Sequence, residues 1–218
     1  MAIDFGTAEA PRGPDGGLNF PAFHRNRAPI WSVLAPLLNG RRGDVLELGS
    51  GSGQHVVGFA EQSPHLTWWP SDVNPDHLAS IEAWRAYAAL PNVQTPRRID
   101  LADPDWTPGP DAPARFVMLL CINVVHIAPW CVSENLFSRA ARHLAPQGLL
   151  CLYGPYRRGG QHTAPSNAAF DASLRRQDPA WGVRDVDDLA SLARDGGLAL
   201  ADLVEMPANN LTLVFAGA

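Results

Sequence analysis

Lysine is absent from the 218 residues: all 17 basic side chains are arginine. A Schiff base, a pyridoxal-phosphate anchor, a phosphate-loop lysine and a lysine general base are excluded with it. Cysteine is scarce. Cys121, Cys131 and Cys151 form no CxxC pair and no Cys/His cluster at zinc spacing, so neither a disulfide scaffold nor a metal centre is expected. The three thiols read as small buried hydrophobes in a reducing compartment. No apolar run approaches the roughly 20 residues that cross a bilayer, and the N-terminus holds no apolar signal core, so a cytoplasmic protein without a membrane partner is expected. Positive charge is also short. With 22 acids the net charge is -5, which argues against a general grip on a nucleic-acid backbone and leaves only a local patch at Arg157-Arg158 and Arg175-Arg176.

With 46% hydrophobic and 18% charged residues there is enough apolar matter for one core. Residues 1–20, rich in glycine and proline, read as a flexible arm without a core face, and 21–218 as a single domain. A first helix is predicted from Pro29, with Ile30, Val33, Leu34, Leu37 and Leu38 on one stripe and Asn39-Gly40 as its stop. Short apolar runs then alternate with helical patterns. Strands are predicted at 44–48, 67–71, 93–99, 115–122, 148–153, 198–205 and 211–215, with helices at 53–62, 75–89, 131–144 and 186–194. Such alternation predicts an α/β, Rossmann-like parallel sheet with helices on both faces. Only five residues separate the last two strands, too few for a helical crossover, so they must pair as an antiparallel hairpin. Residues 154–182 show no strand pattern and read as an insert at the active site.

The strand at 44–48 runs into Gly49-Ser50-Gly51-Ser52-Gly53 and then a helix, placing a glycine loop at the carboxyl edge of the sheet, where ligands bind. Glycine admits the backbone dihedrals of the turn and the close approach of a ligand, and the helix N–H groups face it. A dinucleotide loop of the form GxGxxG needs glycine at 54, where this chain has Gln54. The spacing is GxGxG with an acid, Glu47, before it. This segment resembles motif I of class I S-adenosylmethionine-dependent methyltransferases.

That resemblance implies further cofactor contacts. Asp72, with Val73 beside it, would accept hydrogen bonds from the ribose hydroxyls, and Asp100-Leu101 would meet the adenine through a carboxylate and an apolar face. At the tip of the fourth strand Asn123 faces the methionyl end or the acceptor, and His126 is the candidate general base, since a near-neutral imidazole suits proton removal.

The segments 26–30 (NRAPI), 45–55 (VLELGSGSGQH), 69–72 (WPSD), 122–127 (INVVHI), 153–156 (YGPY) and 205–211 (EMPANNL) resemble one branch of these enzymes, the family called domain of unknown function 938, which includes methyltransferase-like protein 26. The resemblance implies a seven-stranded methyltransferase sheet of order 3-2-1-4-5-7-6 with an antiparallel last strand. It also implies S-adenosyl-L-methionine as cofactor and S-adenosyl-L-homocysteine as product. Beside it, Arg27 is expected to pair with the cofactor carboxylate, Tyr156 and His162 to wall the acceptor site, and Trp106, Trp130 and Trp181 to lie near it. The expected activity is methyl transfer to a small molecule through an oxygen, nitrogen or sulfur atom. Three readings stand against it: a non-catalytic adaptor keeping the cofactor pocket, a nicotinamide-dependent oxidoreductase, and a nucleic-acid methyltransferase.

Overall fold

Residues 11–13 and 16–217 are described by a computed structural model. The chain runs α1 (Pro21–Leu38), β1 (Gly43–Leu48), α2 (Gln54–Gln62), β2 (Leu66–Asp72), α3 (Pro75–Ala88), β3 (Arg97–Arg98), β4 (Phe116–Ile122) and α4 (Trp130–His143). It continues through β5 (Leu144–Arg158), β6 (Gln161–His162), α5 (Pro165–Gln177), β7 (Arg184–Asp185), α6 (Val186–Asp195), β8 (Leu198–Met206) and β9 (Asn210–Gly217). The main sheet has the order β3-β2-β1-β4-β5-β9-β8, with β6 and β7 attached only to the end of β5. β9 is antiparallel to both β5 and β8, so the sheet has the expected order and terminal hairpin.

Alternation along the strands divides the core in two. On β4, Leu119 and Cys121 face α4 and α6, whereas Met118, Leu120 and Ile122 face α1 and α2. Both layers are apolar, so the central strands read as unbroken hydrophobic runs.

Four expectations are corrected. α1 begins at Pro21, and Pro29 and Pro36 lie inside it. Proline in a first turn gives up an N–H that has no helical partner, so Pro21 opens the helix at no hydrogen-bonding cost. Each interior proline loses one hydrogen bond, and burial of Ile30, Leu34 and Leu38 holds the helix together across them. The third strand shrinks to Arg97–Arg98 plus a single bridge between Val93 and Trp68, because Pro96 lacks an N–H for the ladder. β5 does not stop at 153. Pairing of Gly154 with Leu211 and Pro155 with Asn210, then of 156–158 with β6 and β7, extends it through the start of the insert, whose remainder is mostly α5.

The expected arm falls partly outside the described residues. Of the rest, Leu18 is buried, its N–H donates to Ser80 Oγ at 2.8 Å, and its carbonyl accepts from the Trp84 indole at 2.9 Å. This stretch therefore does own a core residue, and it leads directly into α1.

Candidate functional site

The glycine loop after β1 is fixed by its surroundings. Gly49 has φ +71°, and a Cβ there would stand 2.5 Å from a Val124 methyl carbon. The loop is tied to β2: the Ser50 N–H donates to the Ser71 carbonyl at 2.7 Å and the Gly51 N–H to Asp72 Oδ2 at 2.9 Å. The other Asp72 oxygen accepts from the Asn74 N–H at 2.9 Å and lies 3.2 Å from His77 Nδ1. Asp72 thus sits, already oriented, at the C-terminal tip of β2.

Between this loop and the tips of β2 and β4 opens a cavity of about 320 Å³. It is lined by Glu47, Gly49, Ser50, Gly51, Asp72, Val73, Asp100, Leu101 and Asn123, nine of the residues predicted for the site. The Asp100 carboxylate accepts from the Ala102 N–H at 2.9 Å, while Ile99, Leu101 and Val132 supply apolar lining. Asn123 holds φ +58° at the tip of β4, and its N–H donates to the Tyr153 carbonyl at 2.8 Å.

The electrostatics are one-sided. Three carboxyl groups line the cavity, and no arginine does so among the described residues. Burial pushes the Glu47 carboxyl up to about 8; a Ser50 hydrogen bond opposes the rise and the Asp72 charge adds to it. Glu47 is therefore mostly protonated at neutral pH, and an incoming cation would favour its ionised form.

Four predicted residues do not reach the cavity. Arg27 lies 3.4 Å from Glu61 Oε2 and lines a separate groove with Val57 and Trp84. Gly53 caps α2 with φ +86°, and a Cβ there would meet the Ile81 Cα at 2.7 Å; its role is close packing. Tyr156 is fully buried in the α4–α6 layer, because β5 continues as a strand and turns this side chain inward. His126 is only 4% exposed, in a 3-10 turn beneath the insert, with its ring edge-on to Phe170 and its carbonyl accepting from the Gly182 N–H. Burial, helped by Arg184, pulls its pKa down to about 4.

His126 and Tyr156, expected at the acceptor, are thus buried and do not line the cavity. The tryptophans follow the same pattern: Trp106 and Trp181 are buried, and Trp130 faces the Arg184 guanidinium. His162 lies 3.6 Å from Asp171 and lines a second groove with Arg158 and Asn209. Arg158 and Arg175, from the possible basic patch, lie against Glu205 and Asp171. Cys121 and Cys151 are buried with raised thiol pKa values, Cys151 to about 12, whereas Cys131 is exposed.

A family model described as protein of unknown function (DUF938) matches residues 19–217. The chain belongs to the DUF938 family. Among solved structures, an O-methyltransferase family protein from Burkholderia thailandensis matches with a TM-score of 0.75 at 17% identity, over 90% of this chain and 57% of its own. The mitomycin 7-O-methyltransferase MmcR matches at 0.70 and 16% identity, over 83% and 50% of the two chains. PigF, solved with SAH, matches at 0.65 and 12%, over 79% and 50%. The DUF938 chain therefore spans about half the length of these proteins and shares their methyltransferase Rossmann-like fold.

Phe20, Ala22, Phe23, His55 and His77 are among the residues that line the DUF938 cavity and were not expected there. The first three arrive because α1 starts eight residues before the predicted Pro29, which puts its first turn over the cavity. A signal for His55 was present. It stands in the first turn of the helix that follows the glycine loop, and helical side chains lean back toward the N-terminus.

Proposed function

We propose that this DUF938 protein is an S-adenosylmethionine-dependent methyltransferase acting on a small-molecule acceptor. The observation that carries the reading is the convergence, on one cavity, of the 49–51 glycine loop, Asp72 at the tip of β2 and Asp100-Leu101 after β3. The donor set suits this cofactor. A positively charged sulfonium and ammonium are favoured beside three carboxyl groups, whereas a dinucleotide pyrophosphate would meet those same groups with no arginine to neutralise it.

In this reading Asp72 accepts hydrogen bonds from the ribose hydroxyls, with Val73 against the sugar. Asp100 accepts from the exocyclic amine while Ile99 and Leu101 hold the ring, and Glu47 ionises against the ammonium. Bound there, the cofactor supplies a methyl group on sulfur that is already activated by the positive charge. The remaining share of the protein is positioning: Asn123, fixed by its N–H bond to β5, orients the acceptor beside the methyl, an effect worth roughly 7 to 11 kcal/mol when alignment is complete.

Thermal unfolding tests the reading. S-adenosylhomocysteine at about a hundred times its Kd should add about 2.7 kcal/mol, raising the midpoint by roughly 5 to 10 °C, while NADH leaves it unchanged. A midpoint unmoved by S-adenosylhomocysteine, or raised by NADH instead, rejects it.

A further inference from the structure

The methionyl end of the proposed cofactor carries a carboxylate as well as an ammonium. Arg27, the residue expected to receive that carboxylate, pairs instead with Glu61 outside the cavity. Of the side chains able to carry positive charge, only His55 and His77 line the cavity among the described residues, and His77 lies against Asp72. His55 stands in the first turn of α2, beside the N–H groups that end the glycine loop, where the helix dipole also favours an anion. Its ring is wedged between Phe23, with centroids 5.1 Å apart, and Phe59 at 5.4 Å. Nδ1 is buried without a partner, yet the residue as a whole is partly exposed, so the accessible edge of the ring is the one bearing Nε2.

Resting on the cofactor reading above, we propose that His55 holds the carboxylate of S-adenosylmethionine, donating from Nε2. A ring clamped by two aromatic side chains has one orientation to offer, so the donor is pre-set and little rotamer freedom is lost on binding. Burial and the nearby Arg27 keep the free imidazole neutral, its pKa drawn down to about 4. An arriving carboxylate opposes both effects, so binding takes up a proton and the carboxylate contributes more affinity as pH falls.

The other charged groups about His55 are Arg27 on α1, with Glu61 of α2 as its partner, and around the cavity Glu47 of β1, Asp72 of β2, His77 of α3 and Asp100. Glu47 acts in the opposite sense toward the ammonium, because its proton must leave. Decarboxylated S-adenosylmethionine keeps the sulfonium and the ammonium and lacks only the carboxylate, so the ratio of the two affinities cancels Glu47.

Calorimetric titration of both compounds at several pH values tests the assignment. In the wild-type protein the preference for S-adenosylmethionine over its decarboxylated analogue should grow at least fivefold from pH 8 to pH 5.5. His55→Phe should weaken S-adenosylmethionine tenfold or more, leave the analogue within twofold, and abolish the growth. His55→Gln, which keeps a donor, should restore part of the affinity and none of the pH response. A wild-type preference that does not change with pH overturns the proposal without recourse to any variant, as does equal weakening of both compounds in His55→Phe. Should neither compound bind the wild-type protein, the cofactor reading itself fails and the His55 assignment falls with it; binding of both with no preference removes His55 alone.

Discussion

The two halves of the sheet use their C-terminal edges differently. On the β1–β4 side, Glu47, Asp72, Asp100 and Asn123 stand at or just beyond strand tips and open onto one cavity. Toward the β5–β9 side, His126 in the turn after β4 and Tyr156 on the extension of β5 are both buried, His126 against Phe170 of α5 and Tyr156 in the α4–α6 layer. In the open half the connections after β1 and β2 are short, and the cavity lies at those strand tips. In the closed part β5 runs for 15 residues, and His126 packs against Phe170 of α5 while its carbonyl accepts from the Gly182 N–H. Position at a strand end therefore nominates a residue for function, and only the covering segment decides whether it is reached.

The largest expected effect falls on the open half. Gly49→Val places a branched side chain where Val124 already stands, at a φ of +71° that disfavours it. Cofactor affinity should fall at least a hundredfold by calorimetry, with a lower melting temperature, and Val124→Ala should recover part of both.

Next comes Glu47. Because the folded protein keeps its proton up to about 8 and the unfolded chain releases it near 4.5, stability is lost as pH rises between those values. Glu47→Gln should raise the melting temperature by several degrees at pH 8 and hardly at all at pH 4, while weakening the cofactor. Equal shifts at both pH values would contradict a buried, protonated acid.

The closed half makes the opposite prediction. His126 is neutral in the folded state down to about 4 against 6.5 when unfolded, so stability falls as pH drops from 6.5 to 4, by about 3 kcal/mol at most. His126→Gln should flatten that decline in a melting series and leave cofactor affinity unchanged. A loss of cofactor affinity in this variant would break the distinction between the halves. The smallest effect is expected for Arg27→Ala, whose cofactor affinity should change less than threefold, since the guanidinium is engaged with an exposed Glu61.

The open half was readable because its signals are local. A glycine loop, an acid at a strand tip and a helix behind it all lie within a few residues, and parallel pairing then brings β1, β2 and β4 into register. The closed half depends on distant partners. That β5 runs on through Gly154 and Pro155 is decided by β9, more than fifty residues later, and nothing near Tyr156 announces that its side chain points inward. α1 shows a third kind of failure: two prolines each look like a helix start, and only the extended Phe20 before Pro21 marks the real one. His55 was hidden for a similar reason, because the aromatic wedge around it comes in part from that misplaced first turn.

Calorimetric titration of S-adenosylhomocysteine into the wild-type protein and into Asp72→Ala addresses the central claim, that the acid-lined cavity of the β1–β4 half is a cofactor site. The expected result is a single site of micromolar affinity in the wild type, weakened tenfold or more in Asp72→Ala. Absence of binding heat in the wild type, or equal affinity in the two proteins, would contradict it.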